Sequence, residues 1–379
     1  MHPVVSKLQY LIKENEGWEK RFQDAVDAAD GDGIIGMKAL KNTDGYLQWI
    51  DELLYWVPTE NFAGKEIYNR ICEFYFVLDK PSLRALQNKI APSARVAPLT
   101  PLSAWMVEYA DAWGAFLDTP ESISDVALES FERSPKFNLE EYMAPPSGYR
   151  TFNQLFARHV KPGMRPIAAI DDPHVIVSAA DSTFVGWWQV QENSAITVKG
   201  MYWSIMELLE DSPFRDRFRG GIFMHSFLNT TDYHRLHVPV SGTVLESRVI
   251  PGQVYLDVEA VPVETDENGV VHNRIRAIRQ FDAEDATGYQ FAQARGLLVL
   301  DTAIGLVAVM PIGMAQVSSV VMTAEVGKTL HKGEEFSYFQ FGGSDHIVLF
   351  EAASNVALSA QPNVHYNQGQ VIGLAYPNS

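Results

Sequence analysis

Residues 221–250 read GIFMHSFLNTTDYHRLHVPVSGTVLESRVI, and their pattern decides the fold class. Two runs rich in β-branched and aromatic residues, GIFMHSFL and GTVLESRVI, read as strands, with turn residues between them. The same texture extends outward, through VIVSAAD, STFVGWWQV and AITVKG before it and QVYLDVEAV, GLLVLDT and GLVAVM after it. One helical insert, WSIMELLED, interrupts the strands. Passages such as PVSGTVLESRVIPGQV and AEVGKTLHKGEEFSYFQF suit small, strongly curved sheets, because glycine takes the positive φ of a tight turn at no steric cost. Before about Tyr149 the pattern is helical. YLQWIDELLYW and WMVEYADAWGAFL repeat apolar residues at helical spacing, and Pro58, Pro81 and Pro98 mark turns. The chain therefore reads as α+β, with a helical N-terminal domain over residues 1–145 and a β-rich domain over residues 146–379.

Composition narrows the function. The 379 residues are 46% apolar and 20% charged, enough to bury a sizeable core, and the net charge is −17. An acidic surface disfavours nucleic-acid backbones and anionic membranes, so no nucleic-acid partner and no stable membrane insertion are expected. The opening MHPVVSKLQYLIKENEGWEK has no continuous apolar core of the signal-peptide kind. The longest apolar stretch, GLVAVMPIGMAQVSSVVM from Gly305, is broken by Pro311, Gln316, Ser318 and Ser319 and reads as two buried strands. A soluble, cytoplasmic protein is the expectation. The single cysteine, Cys72, excludes an internal disulfide and a cysteine-based metal cluster, and reads as a small buried hydrophobe. DGDGIIG offers Asp30, Asp32 and Gly33 to an EF-hand pattern, but Ala28 and Ala39 stand where the first carboxylate and the bidentate glutamate belong, so it reads as a turn. Lys199 reads as a solvated lysine at a strand end.

Two clusters carry chemistry. In TTDYHRLH (residues 230–237), Asp232, His234, Arg235 and His237 fall within six residues. A regular strand would point the two histidines to opposite faces, and a bulge would be needed to converge them. Zinc normally wants three or four convergent ligands, so no metal is expected here. In FGGSDH (residues 341–346), Gly342 and Gly343 leave the carbonyl before Ser344 unshielded. A serine hydroxyl can attack that carbonyl if the peptide bends and a base takes its proton. His225 and His346 lie close to these motifs and read as hydrogen-bonded structural histidines, with lining of the pocket as the alternative.

Taken in order, TFNQLFARHVKPGMRPI, VSAADSTF, VKGMYWSIMELL, FLNTTDYHRLHVPVSGTV, VAVMPIGMAQVSSV and KGEEFSYFQFGGSD resemble the phosphatidylserine decarboxylase family over about residues 150–379. The helical front and the FGGS ending are similar to its soluble fungal branch, which includes the tryptophan decarboxylase of psilocybin biosynthesis. The resemblance implies a phosphatidylserine-decarboxylase-like catalytic domain that cuts itself between Gly343 and Ser344. It implies Ser344 as the processing serine, His237 as its base, Asp181 as the acid of that triad, Asp232 as a second acidic group nearby and His234 as the histidine of decarboxylation. Serine attack would convert amide to ester, and elimination and hydrolysis would leave a covalent pyruvoyl group derived from Ser344. That group would take a substrate amine as a Schiff base and act as the electron sink that pyridoxal phosphate supplies elsewhere, with neither pyridoxal phosphate nor metal.

The partners implied are an amine-bearing small-molecule substrate, the chain's own cleaved C-terminal fragment and a possible second copy in a homo-oligomer. Asp345 departs from the family's usual residue after the serine, and a carboxylate there could help or hinder cleavage. No membrane-docking element stands out, and the aromatic front suits a lid over a small substrate. A free, aromatic amino acid is therefore the expected substrate, with phosphatidylserine as the alternative, which the DYH spelling at Asp232 favours. Two readings of other classes are a binding protein that kept the fold and a metal-dependent hydrolase built on His234 and His237.

Overall fold

A computed structural model describes residues 1–35, 37, 39–92, 98–198, 201–265, 271–277, 289–313, 319–341 and 344–378. Gly342, Gly343 and Lys199, to which expectations were attached, lie outside the described residues, as does Gly36 of DGDGIIG.

The front of the chain is helical, as its periodicity predicts. Helices run over Pro3–Glu14, Trp18–Gly31, Thr43–Leu53, Glu66–Leu78 and Pro101–Leu117. Each starts or stops where local chemistry dictates. The Thr100 side chain accepts from the Ser103 amide and Pro101 occupies the first turn, while Asn42 caps Gly45 in the same way. DGDGIIG ends a helix: Gly31 is its last residue and Gly33 turns the chain with φ +59°. Val4, Val5, Leu8 and Ile12 form the buried stripe of the first helix, and the Trp105 indole donates to the Val4 carbonyl at 2.8 Å. Cys72 is fully buried. No described helix is long and apolar enough to cross a membrane.

The β-rich part is built on one eight-stranded antiparallel sheet. Its spatial order is Thr329–Leu330, Gly242–Ile250, Arg295–Thr302, Gly305–Gly313, Ser344–Phe350, Ile222–Leu228, Ser182–Gln189 and His365–Tyr366. A three-stranded sheet, Val320–Met322, Glu335–Phe339 and Arg235–His237, is stacked on it. The strand at Gly305–Gly313 and that at Val320–Met322 are the two expected from the long apolar stretch. QVYLDVEAV departs from expectation, since its strand begins only at Val258.

Gly296 shows which faces of the two sheets meet. A side chain there would run into Met322, Pro311 and Val320, so these residues lie between the sheets and only glycine fits. Pro311 pairs with His346, His346 with Ser226, and Gly313 with Ser344. Ser344, His346 and Ser226 therefore face the small sheet. Within that sheet Met322 pairs with Ser337 and Val320 with Phe339, which turns Ser337 and Phe339 toward them.

The helical layer packs onto the same region. One contiguous apolar core runs from Val4 to Ala375. Phe74 stacks on Tyr109 at 4.6 Å, Tyr109 meets Trp113 edge-on, and Trp113 lies 5.2 Å from Phe341. In sequence Phe341 precedes the two glycines before Ser344, so the helical layer reaches the residue that leads toward the serine.

Candidate active site

Ser344 opens a strand whose seven residues are all buried, hydrogen-bonded on both sides to other buried strands. Its Oγ lies 3.1 Å from Nδ1 of His234. His234 sits just before the Arg235–His237 strand, where the Phe339 amide donates to its carbonyl. Its ring stacks on Phe156, with centroids 4.1 Å apart and planes 24° from parallel, and Phe339 presents an edge from another side. Full burial, helped by the nearby Arg158 charge, pulls the ring's pKa down to about 3. His234 is therefore neutral at pH 7 and can accept the serine proton.

Phe156 and Arg158 come from TFNQLFARHV, whose helix is capped by the Thr151 side chain on the Gln154 amide. Arg158 is 1% exposed and donates to the Thr231 carbonyl at 2.9 Å while lying 4.1 Å over the Tyr142 ring. It thus ties down the loop that delivers His234. Sequence reading did not single out Arg158 or Phe156. The available signal was an arginine directly after an apolar helix, which resembles many surface positions.

His237 is placed differently. Its Nδ1–H donates to the Gly333 carbonyl at 2.8 Å, and Nε2 accepts from the Tyr233 hydroxyl at 3.0 Å. Burial lowers its pKa, opposed by the Gly333 carbonyl and by the charges of Glu335 and Asp181. The Tyr233 and Gly333 contacts fix its tautomer. Asp181 accepts from Nε and Nη2 of Arg165, the latter at 2.6 Å, and from the Gln368 amide at 2.8 Å. The His237 amide bonds the Ala179 carbonyl, so the SAAD segment runs beside it. Asp232 accepts from the Asn229 amide at 2.7 Å and pairs with His365 at 3.2 Å, and this contact raises the His365 pKa. The structure thus joins Ser344 to His234, and sets Asp181 near His237, with Asp232 turned to a third histidine.

Asp345 and His346 separate by strand alternation. The Asp345 carboxylate meets Nε2 of His225 at 2.9 Å, both groups essentially inaccessible, on the face opposite the Ser344 side chain. His346 shares the Ser344 face. Burial first, and the neighbouring His225 second, lower its pKa to about 3, and neither ring nitrogen has a hydrogen-bond partner among the described residues. Among the described residues no group of three or more His, Cys, Asp or Glu is placed to hold a metal ion.

Comparison with known proteins gives this arrangement a family. The model of the phosphatidylserine decarboxylase family matches residues 152–374, well over half of the chain. Phosphatidylserine decarboxylase proenzyme 2 of rice is 34% identical over 240 residues, covering 63% of this chain and 35% of its own length. The phosphatidylserine decarboxylase proenzyme of Fusobacterium nucleatum is 30% identical over 242 residues, with 64% and 72% covered. Decarboxylase iboD of Amanita muscaria is 29% identical over 262 residues, with 63% and 74% covered. The chain belongs to the phosphatidylserine decarboxylase family, whose members are pyruvoyl-dependent decarboxylases. It spans only about a third of the length of the rice relative. The rice and Fusobacterium relatives are named for phosphatidylserine, and the Amanita decarboxylase is not.

The residues around Ser344 fit a pyruvoyl group made in place. A buried serine starts a central strand, a neutral histidine meets its hydroxyl, and His346, whose ring nitrogens have no partner among the described residues, shares its face. Asp345, beside it, is held by His225.

Proposed function

We propose that this chain cleaves itself at Ser344 and then decarboxylates phosphatidylserine to phosphatidylethanolamine. The observation carrying the proposal is the Ser344–His234 contact at 3.1 Å inside a site that excludes water. The substrate is taken from the names of the rice and Fusobacterium relatives. Once formed, the pyruvoyl group would supply a ketone able to take the substrate amine and to receive the electron pair left on Cα when CO2 departs.

The chain's own residues do the rest. In the uncut chain Nδ1 of His234 accepts the Ser344 proton, since the ring is neutral and within hydrogen-bond distance of the hydroxyl. Phe156 and Arg158 hold that ring and its loop at the serine. In the reaction itself the same ring returns a proton to the carbon that loses CO2. A second assignment of the base, His237 with Asp181, is favoured by the SAAD segment alongside His237 and by the Asp181 charge acting on that ring.

A denaturing gel separates the two assignments. If His234 is the base, H234A stays uncut while H237A is cut. The reverse result assigns the base to His237. Wild type should show a short C-terminal fragment bearing a hydroxylamine-reactive carbonyl, both lost in Ser344→Ala. A single uncut, carbonyl-free band for wild type sinks the reading. Release of CO2 from phosphatidylserine micelles, and not from free amino acids, is the substrate test. The opposite outcome restores the free amino acid reading, which the Amanita decarboxylase supports because its name carries no lipid.

A further inference from the structure

Between the two sheets, beside Ser344, lies a pair of polar groups with no hydrogen-bond partner among the described residues. His346 is fully buried two residues along the strand from Ser344, on the same face, with both ring nitrogens unpartnered among the described residues. Ser337 is fully buried on the opposing sheet, and its Oγ is equally without a partner. Met322 pairs with Ser337, Pro311 pairs with His346, and Met322 and Pro311 both lie against Gly296, so the two groups sit on the facing sides of the two sheets. Leaving such groups dry costs roughly 1–3 kcal/mol each, a cost that a ligand with matching acceptors removes.

We propose that His346 and Ser337 form the subsite that holds the substrate's α-carboxylate. The proposal rests on the decarboxylase reading and is the same for phosphatidylserine and for a free amino acid, which share that group. A neutral imidazole offers one N–H and a serine one O–H, so the pair supplies one donor to each carboxylate oxygen. Residues two apart on one strand face are about 7 Å apart. That span matches a carboxylate one carbon beyond an amine joined at position 344.

Charge explains why neutral donors suit this place. In the reaction the bond from Cα to the carboxylate carbon breaks and its electron pair stays on the Cα side, where the ketone-derived group receives it. CO2 leaves uncharged, and a proton takes its position on Cα. A lysine or arginine would stabilise the carboxylate charge that the reaction removes, and so would deepen the ground state. Neutral donors orient the group without that penalty, and the burial that keeps His346 uncharged serves this purpose.

The test uses two substrate and product pairs, phosphatidylserine with phosphatidylethanolamine in micelles and L-tryptophan with tryptamine. CO2 release is measured on each acid, and cyanoborohydride capture on each amine, which lacks the carboxylate. In His346→Val, self-cleavage, carbonyl content and amine capture should stay within about twofold of wild type, while CO2 release falls about 100-fold. His346→Asn, which keeps a donor, should recover at least about tenfold of that loss. Ser337→Ala should lose about tenfold, and it decides the matter if H346V does not fold. Variants within threefold of a CO2-releasing wild type overturn the subsite, as does an equal loss of amine capture. A wild type that bears the carbonyl yet releases CO2 from neither acid tells instead against the decarboxylase reading.

Discussion

The two faces of the Ser344–Phe350 strand solve the burial of polar groups in opposite ways. On one face Oδ2 of Asp345 meets Nε2 of His225 at 2.9 Å, so two groups that would be costly alone are paired with each other. On the other face His346 and, across from it, Ser337 are just as buried and have no partner among the described residues. A matched pair holds a strand in place. The unmatched groups beside Ser344 are what the proposed carboxylate subsite rests on.

Replacing Ser344 gives the largest expected effect. Ser344→Ala should abolish the C-terminal fragment and the carbonyl outright on a gel and in a hydroxylamine assay, while leaving the fold intact. That uncut variant is the proper background for stability measurements. In it, His225→Ala should cost about 3–5 kcal/mol by denaturant titration, because it leaves the Asp345 carboxylate buried without its partner. A double change of His225 and Asp345 to leucine should recover most of that loss. A cost under about 1 kcal/mol would erase the contrast between the faces.

The unmatched face should show itself in pH dependence. His234 and His346 have folded pKa values of about 3, below the ordinary value near 6.5. Between these values the unfolded chain binds protons that the folded chain does not, so stability is full above pH 6.5 and falls as pH drops toward 3. Each ring contributes a slope of about 1.4 kcal/mol per pH unit. Unfolding midpoints measured from pH 7 to pH 4 should flatten by about one such slope in H346V. An unchanged profile would mean that His346 is not held neutral.

The smallest effect is expected far from both faces. Lys7 pairs with Glu108 at 2.6 Å, but both side chains are nearly half exposed. Lys7→Ala should change stability by less than about 1 kcal/mol.

Much of this was legible in the sequence. The helical front announced itself because Val4, Val5, Leu8 and Ile12 fall on one stripe of period 3.6. GTVLESRVI and GLVAVM announced strands because β-branched runs stop at turn residues. Ser344 stood out through the motif order around it. Phe156 did not, since an aromatic side chain at a helix end looks the same whether it packs in the core or stacks on a catalytic ring.

By itself the sequence determined the α+β order and the family and singled out Ser344 as the candidate serine, all features that depend on neighbours within a few residues or on motifs in series. Only the tertiary structure decided that His234 rather than His237 touches Ser344, residues 110 apart along the chain. It also decided that Asp345 turns away to His225, 120 residues distant. Strand register sets these contacts, and a shift of one residue would exchange the faces of Asp345 and Ser344. Register is fixed by the packing of whole sheets, and no local stretch of sequence contains it.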